Sequence, residues 1–138
     1  MNFSEMLEGA QFQQEYEISP AVYEGFLTCF GDRNPLHVNE VYAKAHGFQG
    51  PVMHGAILSG FLSHAVGMHF PGESALLQIV DLRFLKPSYL NDRLNLTLKV
   101  EQKVEATQSL VLGVRFDNLT QSHLAARGRA QVGVRGNL

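Results

Sequence analysis

The stretch from Met53 to Phe70 constrains the fold most, because it predicts a helix that is apolar over an unusually wide face. Its apolar residues form two adjacent stripes at helical spacing: Ile57, Phe61, Ala65 and Met68, then Leu58, Leu62, Val66 and His69. Pro71-Gly72 follows and ends the pattern. A helix with so wide an apolar face must be covered on several sides, so this one is expected to be buried.

The segments after this helix predict β-strands, because their apolar residues recur at every second position. The alternating segments are Leu76–Leu85, Leu94–Val100, Leu110–Phe116 and Leu124–Val132. In the first segment, one face is predicted to carry Leu76, Gln78, Val80, Leu82 and Phe84. Short breaks between them indicate antiparallel neighbours, and Gln11–Ile18 adds an earlier strand. The pattern predicts an α+β fold, in which an antiparallel sheet wraps around one long central helix.

Two shorter helices are expected before the central one. Ser19-Pro20 predicts the start of a helix over Pro20–Cys29, and Asn39 predicts the cap of another over Glu40–His46. Gly31 and Asn34-Pro35 interrupt the pattern between them, so this part is expected to be a bend. Because no linker or internal repeat is visible, residues 1–138 are interpreted as one domain.

Charge and cysteine content exclude several classes of function. The 138 residues are 45% hydrophobic with a formal net charge of −2, which gives no reason to expect a nucleic acid or a membrane surface as partner. Cys29 is the single cysteine, so an intrachain disulfide is impossible. The N-terminus lacks the basic-then-apolar pattern of a secretion signal. These features predict a cytoplasmic protein.

The candidate chemistry lies at two places, the bend before the central helix and the start of that helix. Asp32 and His37 flank Asn34-Pro35, and a carboxylate with an imidazole is suited to moving protons. Gly55 offers an unhindered N–H near the positive end of the helix dipole. Together they suggest acid/base groups with an amide donor. The alternative is a polar turn followed by a core helix.

These residues resemble a known family. Gly31-Asp32-Arg33-Asn34-Pro35-Leu36-His37 resembles the G-D-x-N-P-[apolar]-H signature of the MaoC-like (R)-specific enoyl-CoA hydratases, the hydratase 2 class. His54-Gly55 and Arg83-Phe84-Leu85-Lys86-Pro87 follow at the expected order and spacing, and the similarity runs from about Leu27 to Leu94. The resemblance implies a hot-dog fold and a homodimer, with an acyl-thioester site near the dimer interface.

The resemblance also implies an activity in fatty acid metabolism, reversible syn hydration of a trans-2-enoyl thioester to the (R)-3-hydroxyacyl thioester. By motif position, Asp32 and His37 are the catalytic pair, Gly55 donates its amide to the oxyanion, and Ser63 is a supporting polar residue. Which of the pair takes the water proton stays open. Coenzyme A or an acyl carrier is part of the substrate, and no separate cofactor is expected. The spacing of the other histidines predicts no metal site.

Four further residues are candidates for substrate binding: Asn34, Phe30, Arg83 and Lys86. Asn34 shapes the bend, and Phe30 stands where the family usually has Ser or Thr, so it could reshape the pocket. Arg83 and Lys86, with Arg93, either meet the phosphates of coenzyme A or a carrier arm, or are solvated surface charges. His54 is interpreted as a helix-entry residue rather than a catalyst.

Two other functions remain open at this point. One is hydrolysis of an acyl thioester on the same fold, although hydrolysis gives no reason for the paired Asp32 and His37. The other is a non-catalytic module that binds acyl thioesters, although a pure binder needs neither group. Acyl chain length and the choice between coenzyme A and an acyl carrier protein cannot be read from the sequence.

Overall fold

The computed structural model of the protein describes residues 1–136 and contains five strands and four α-helices in that range. In chain order the elements are β1 (Gln11–Glu17), α1 (Pro20–Phe30), α2 (Pro35–Val38), α3 (Glu40–Ala45), α4 (Gly55–Met68), β2 (Ala75–Phe84), β3 (Arg93–Val104), β4 (Ser109–Asn118) and β5 (His123–Val134). The strands form one sheet in the order β1-β3-β4-β5-β2, and each neighbouring pair is antiparallel.

The sheet covers α4, as the sequence predicts. The buried residues of this helix are Ile57, Leu58, Phe61, Leu62, Ala65 and Val66. They share one core with the inward-facing residues of the long strands, among them Leu94, Leu96, Leu98, Leu110, Leu112, Phe116, Ala130 and Val132. Alternation on the strands and helical spacing on α4 place these side chains on facing surfaces, so burial of apolar area holds the two layers together. The helix is shorter than predicted, because Met53, His54, His69 and Phe70 lie outside it.

Strand β2 departs from the predicted single phase. Its register with β5 shifts between Leu77 and Ile79, so Leu77 pairs with Val132 and Val80 with Ala130. A bulge inserts one residue and reverses the alternation. Leu76 and Gln78 therefore face away from the core side, and the prediction that they share a face with Val80 is wrong.

The bend between α1 and α3 contains a short helix that the sequence did not predict. Gly31 ends α1 with a φ of +67°, a left-handed conformation suited to glycine. Asn34 then caps α2, because its Oδ1 accepts a hydrogen bond from the Leu36 N–H at 3.0 Å. Pro35 fits the first turn of a helix, where no N–H is required. His37 therefore lies within α2 and not in an irregular bend.

No helix among residues 1–136 is both long enough and apolar enough to cross a membrane.

Candidate active site

Asp32 and His37 lie side by side between α1 and α3. Oδ2 of Asp32 is 3.9 Å from Nε2 of His37, which is too long for a direct hydrogen bond. The Asp32 side chain is 52% exposed, and its Oδ1 accepts a hydrogen bond from the Asn34 N–H at 3.3 Å. The close approach follows from the local fold, because Gly31 turns the chain out of α1 and Asn34 starts α2 two residues after Asp32.

Two hydrogen bonds fix the orientation of His37. Its Nδ1 is 2.7 Å from the carbonyl oxygen of Val52, and because a carbonyl can only accept, Nδ1 carries the proton. The Tyr23 hydroxyl donates to the His37 carbonyl at 2.6 Å. Burial raises the pKa of Tyr23 against the opposing effect of Arg33, so this donor keeps its proton at neutral pH. With the proton held on Nδ1, the neutral form of the His37 ring has its lone pair on Nε2, the atom that lies 3.9 Å from Asp32.

His54 is the third residue of the cluster. It is 2% exposed, and its Nε2 donates to the main-chain oxygen of Asp32 at 2.8 Å. Its ring centroid is 3.9 Å from that of His37 and 4.5 Å from that of Phe26. The interpretation of His54 as only a helix-entry residue is therefore incomplete. The single sequence signal was its position directly before Gly55.

Gly55 begins α4, where the first backbone N–H groups have no partner within the helix. It lines a pocket of about 310 Å³ together with His37, Phe84 and Lys86. Phe84 covers the glycine so closely that a Cβ at position 55 would lie 3.1 Å from the ring. The predicted imidazole and amide groups therefore border one cavity, and Phe84 is a lining residue to which the sequence analysis assigned no role.

Phe30 and Asn34 lie beside the cluster. Asn34 acts on the backbone as the cap of α2, which supports the predicted shaping of the bend. Phe30 is 72% exposed at the end of α1, and its ring centroid is 4.8 Å from that of Phe26. Both phenylalanines line an apolar groove of about 630 Å³ between α1 and α4. Phe30 therefore reaches the cluster through Phe26, which packs against His54.

Ser63 and Arg83 are not brought to the pair within one chain. Ser63 is exposed on α4, about 12 Å beyond Gly55 along the helix axis. Arg83 lies opposite Arg127 in the register of β2 with β5, and both line the outer face of the sheet. The next residue, Phe84, lines the pocket. Of the three predicted phosphate-binding cations, only Lys86 borders the pocket. Arg93 forms an exposed ion pair with Glu15 instead.

The cluster has the composition of a metal site, since ligand atoms of Asp32, His37 and His54 lie within 4.8 Å of one another. The hydrogen bonds argue against such use. Nε2 of His54 must carry a proton to donate to the Asp32 carbonyl, so it has no lone pair for a metal. His54 keeps one lone pair, on its buried Nδ1, so a third ligand could come only from that atom. The expectation of no metal stays a prediction.

Comparison with known proteins identifies the family. The MaoC-like domain matches residues 3–120, and the chain therefore belongs to this family. It is 32% identical over 98 residues to an (R)-specific enoyl-CoA hydratase of Rhodospirillum rubrum, covering 71% of this chain and 68% of that protein. It is 31% identical over 88 residues to a 3-hydroxybutyryl-CoA dehydratase of Methylorubrum extorquens, covering 64% of this chain and 56% of the relative.

Among solved structures, the fold is similar to that of R-hydratase PhaJ1 from Pseudomonas aeruginosa, with a TM-score of 0.88 and 24% identity over 99% of this chain and 86% of that one. This likeness confirms the predicted hot-dog fold. The predicted enzyme class, a hydratase or dehydratase of the lyases, is confirmed by the family and the curated relatives. The roles assigned to individual site residues remain predictions.

Proposed function

We propose that the protein catalyses (R)-specific hydration of a trans-2-enoyl-CoA, or the reverse dehydration of an (R)-3-hydroxyacyl thioester. The observation that carries the proposal is the pairing of two proton acceptors, the Asp32 carboxylate and Nε2 of His37, 3.9 Å apart. His37 lies in the wall of the pocket to which the Gly55 amide also belongs. The names of the curated relatives support the same reaction.

The pair is suited to hold one water molecule. A water oxygen about 2.8 Å from each acceptor fits over a 3.9 Å gap, and its two hydrogens can donate to Asp32 and His37. A lone pair of that oxygen then points away from the pair, toward C3 of the enoyl group. As the C3–O bond forms, one member of the pair takes a proton from the water and the C2–C3 π electrons move onto the thioester oxygen as an enolate. The pair then returns that proton to C2 on the same face, which completes syn addition of the water. Either residue can take the first proton in this geometry.

The Gly55 amide is proposed to stabilise the thioester oxygen as negative charge develops on it. An N–H at the first turn of a helix combines an unpaired donor with the positive end of the dipole. A donor of this kind contributes about 3 kcal/mol of barrier reduction in other oxyanion holes. The substrate carries its own coenzyme A or acyl carrier. Lys86 is proposed to meet its phosphates, and its position in the lining of the pocket supports this role.

A homodimer is part of the proposal. Strand β2 lies at the edge of the sheet and exposes Leu76, Ile79 and Val80, each 40% to 53% accessible. An edge strand with free backbone groups and apolar side chains is suited to pair with a second copy. The mass in solution, measured by light scattering, should be twice that of the 15.3 kDa chain. A monomer at micromolar concentration would refute this part.

The cytoplasmic location is also proposed, on the single cysteine alone.

The deciding experiment supplies crotonyl-CoA, follows loss of the conjugated enoyl absorbance and determines the stereochemistry of the product. The (R)-3-hydroxy product is expected. Release of free thiol without hydration would indicate a thioester hydrolase. Absence of turnover with any enoyl chain length, linked to coenzyme A or to a carrier, would leave only a binding module.

Two variants test the pair itself. Asp32→Asn and His37→Ala should each slow hydration by roughly 10²–10⁴-fold, the usual range for loss of a general acid or base. His46→Ala is the matched control, because His46 is an exposed histidine that also bonds a main-chain carbonyl, that of Tyr42 at 2.8 Å, but lies outside the cluster. A near-normal rate in either pair variant would remove that residue from the mechanism.

A further inference from the structure

We propose that His54 is a positioning residue that sets the geometry of Asp32 and His37 through its Nε2–H group. The proposal rests on the function proposed above, because the geometry matters for the water that the pair holds. His54 lies 22 positions after Asp32 in the chain and directly before Gly55, so it joins the bend to the start of α4.

The first part of the argument is the bond to the main chain of Asp32. The Asp32 carboxylate is half-exposed, and the Asn34 N–H at 3.3 Å is a weak restraint on it. The Asp32 carbonyl, in contrast, accepts from the buried Nε2 of His54 at 2.8 Å. His54, the residue directly before α4, therefore holds the main chain of Asp32. This main-chain bond is the stronger of the two restraints on the position of the carboxylate.

The second part is the packing of the rings. The His54 ring packs against two others, with His37 at 3.9 Å and Phe26 at 4.5 Å between centroids. His37 is therefore limited on one side by the His54 ring and held at Nδ1 by the Val52 carbonyl. One buried side chain contacts both members of the catalytic pair.

The third part separates this role from simple core packing. Nδ1 of His54 is buried and has no hydrogen-bond partner among the residues that the structure describes. A buried polar atom without a partner destabilises the folded state. A phenylalanine would stack between the same two rings without that penalty. The imidazole is therefore explained by the Nε2–H bond that it makes, and not by its shape.

The test compares His54→Phe with His54→Gln in the full-length protein. His54→Phe keeps an aromatic ring and removes the donor, so kcat for crotonyl-CoA should fall about 10²-fold, as for other small misplacements of reacting groups. KM should stay within about threefold, and the melting temperature should not fall. His54→Gln restores an amide donor near the position of Nε2 and should recover at least tenfold of the lost kcat.

His46→Phe is the control, since it replaces a histidine that bonds a carbonyl outside the cluster and should leave kcat and KM unchanged. A kcat within twofold of wild type in His54→Phe would overturn the proposal. A folded His54→Gln enzyme no faster than His54→Phe would overturn it as well, because the donor would then be irrelevant.

A second readout does not depend on activity. A crystal structure of His54→Phe should show the Asp32 main chain displaced from its position in the wild-type protein, and an unmoved Asp32 would contradict the inference. If the wild-type protein fails to hydrate any enoyl thioester, the proposed function is wrong. The position of Asp32 in the variant still decides whether His54 holds the pair.

Discussion

The substitution Gly55→Ala would place a methyl group 3.1 to 3.2 Å from three ring carbons of Phe84. Such contacts are tighter than ordinary van der Waals packing, so the ring or the start of α4 must shift by a few tenths of an ångström. Phe84 is 53% exposed and its ring can yield. The cost to folding should therefore lie at the lower end of the overpacking range, about 1 kcal/mol.

The effect on catalysis should be larger than the effect on folding. The methyl group and the displaced ring both fill the pocket beside the Gly55 amide, where the thioester oxygen is proposed to bind. The backbone N–H is kept in this variant, so the expected loss comes from a thioester oxygen held away from that donor, and loss of one oxyanion contact reduces kcat by about 10²–10³-fold in other enzymes. We expect kcat for crotonyl-CoA to fall by about 10²-fold, measured at saturating substrate, while urea unfolding shows a loss of about 1 kcal/mol.

Gly67→Ala is the matched control, because Gly67 lies in the same helix and a Cβ there would meet nothing within 4 Å. It should gain up to about 1 kcal/mol from helix propensity and keep full activity. The double variant Gly55→Ala/Phe84→Ala should recover the stability that the clash removes, when compared with Phe84→Ala alone. If Gly55→Ala is destabilised but keeps kcat within threefold of wild type, the methyl group and the displaced Phe84 ring do not block the thioester oxygen, and the proposed position of that oxygen is wrong.

Two further substitutions test hydrogen bonds, one beside the site and one in a buried polar group just before β3. Tyr23→Phe should lower the free energy of unfolding by about 1 kcal/mol at pH 7, because the bond to the His37 carbonyl is lost. Burial raises the pKa of Tyr23 above the ordinary value of 10.0. The stabilisation that the protonated hydroxyl provides is therefore complete below pH 10, and it is lost as the pH rises through the folded-state pKa. Urea unfolding from pH 7 to 11 should therefore show a smaller alkaline loss in the variant. Asp92→Ala should lower the free energy of unfolding by about 3 kcal/mol, because this 2% exposed carboxylate accepts hydrogen bonds from Tyr89, Asn118 and Gln121. Urea denaturation measures this loss, and a clearly smaller loss would contradict the prediction.

Local patterns predicted most of the elements. The apolar stripes of α4 and the alternation of β3 to β5 depend only on the periods of helix and strand, so they are visible in the sequence. The register of β2 was not visible, because Leu76, Leu77, Ile79 and Val80 are all apolar and either phase satisfies the pattern. The bulge is decided by pairing with β5.

Sequence reasoning likewise identified part of the candidate site and misplaced the rest. Asp32, His37 and Gly55 were identified because their motif is contiguous or begins a helix. The structure places Asp32 beside His37, and His37 and Gly55 line one pocket. Ser63 and Arg83 were assigned by motif position alone, and within one chain they lie elsewhere, since distance along a motif does not determine which face a side chain occupies.

The sequence by itself determined the family and the α+β fold, and it singled out Asp32 and His37 as the predicted acid/base pair, because short-range periodicity and a compact motif carry that information. Only the tertiary structure decided the surroundings of the pair. It placed the His54 donor on the Asp32 carbonyl, the Val52 carbonyl on Nδ1 of His37 and the Phe84 ring over Gly55. These contacts join residues from 15 to 29 positions apart in the chain, and their partners are chosen by the packing of α4 against the sheet and the bend.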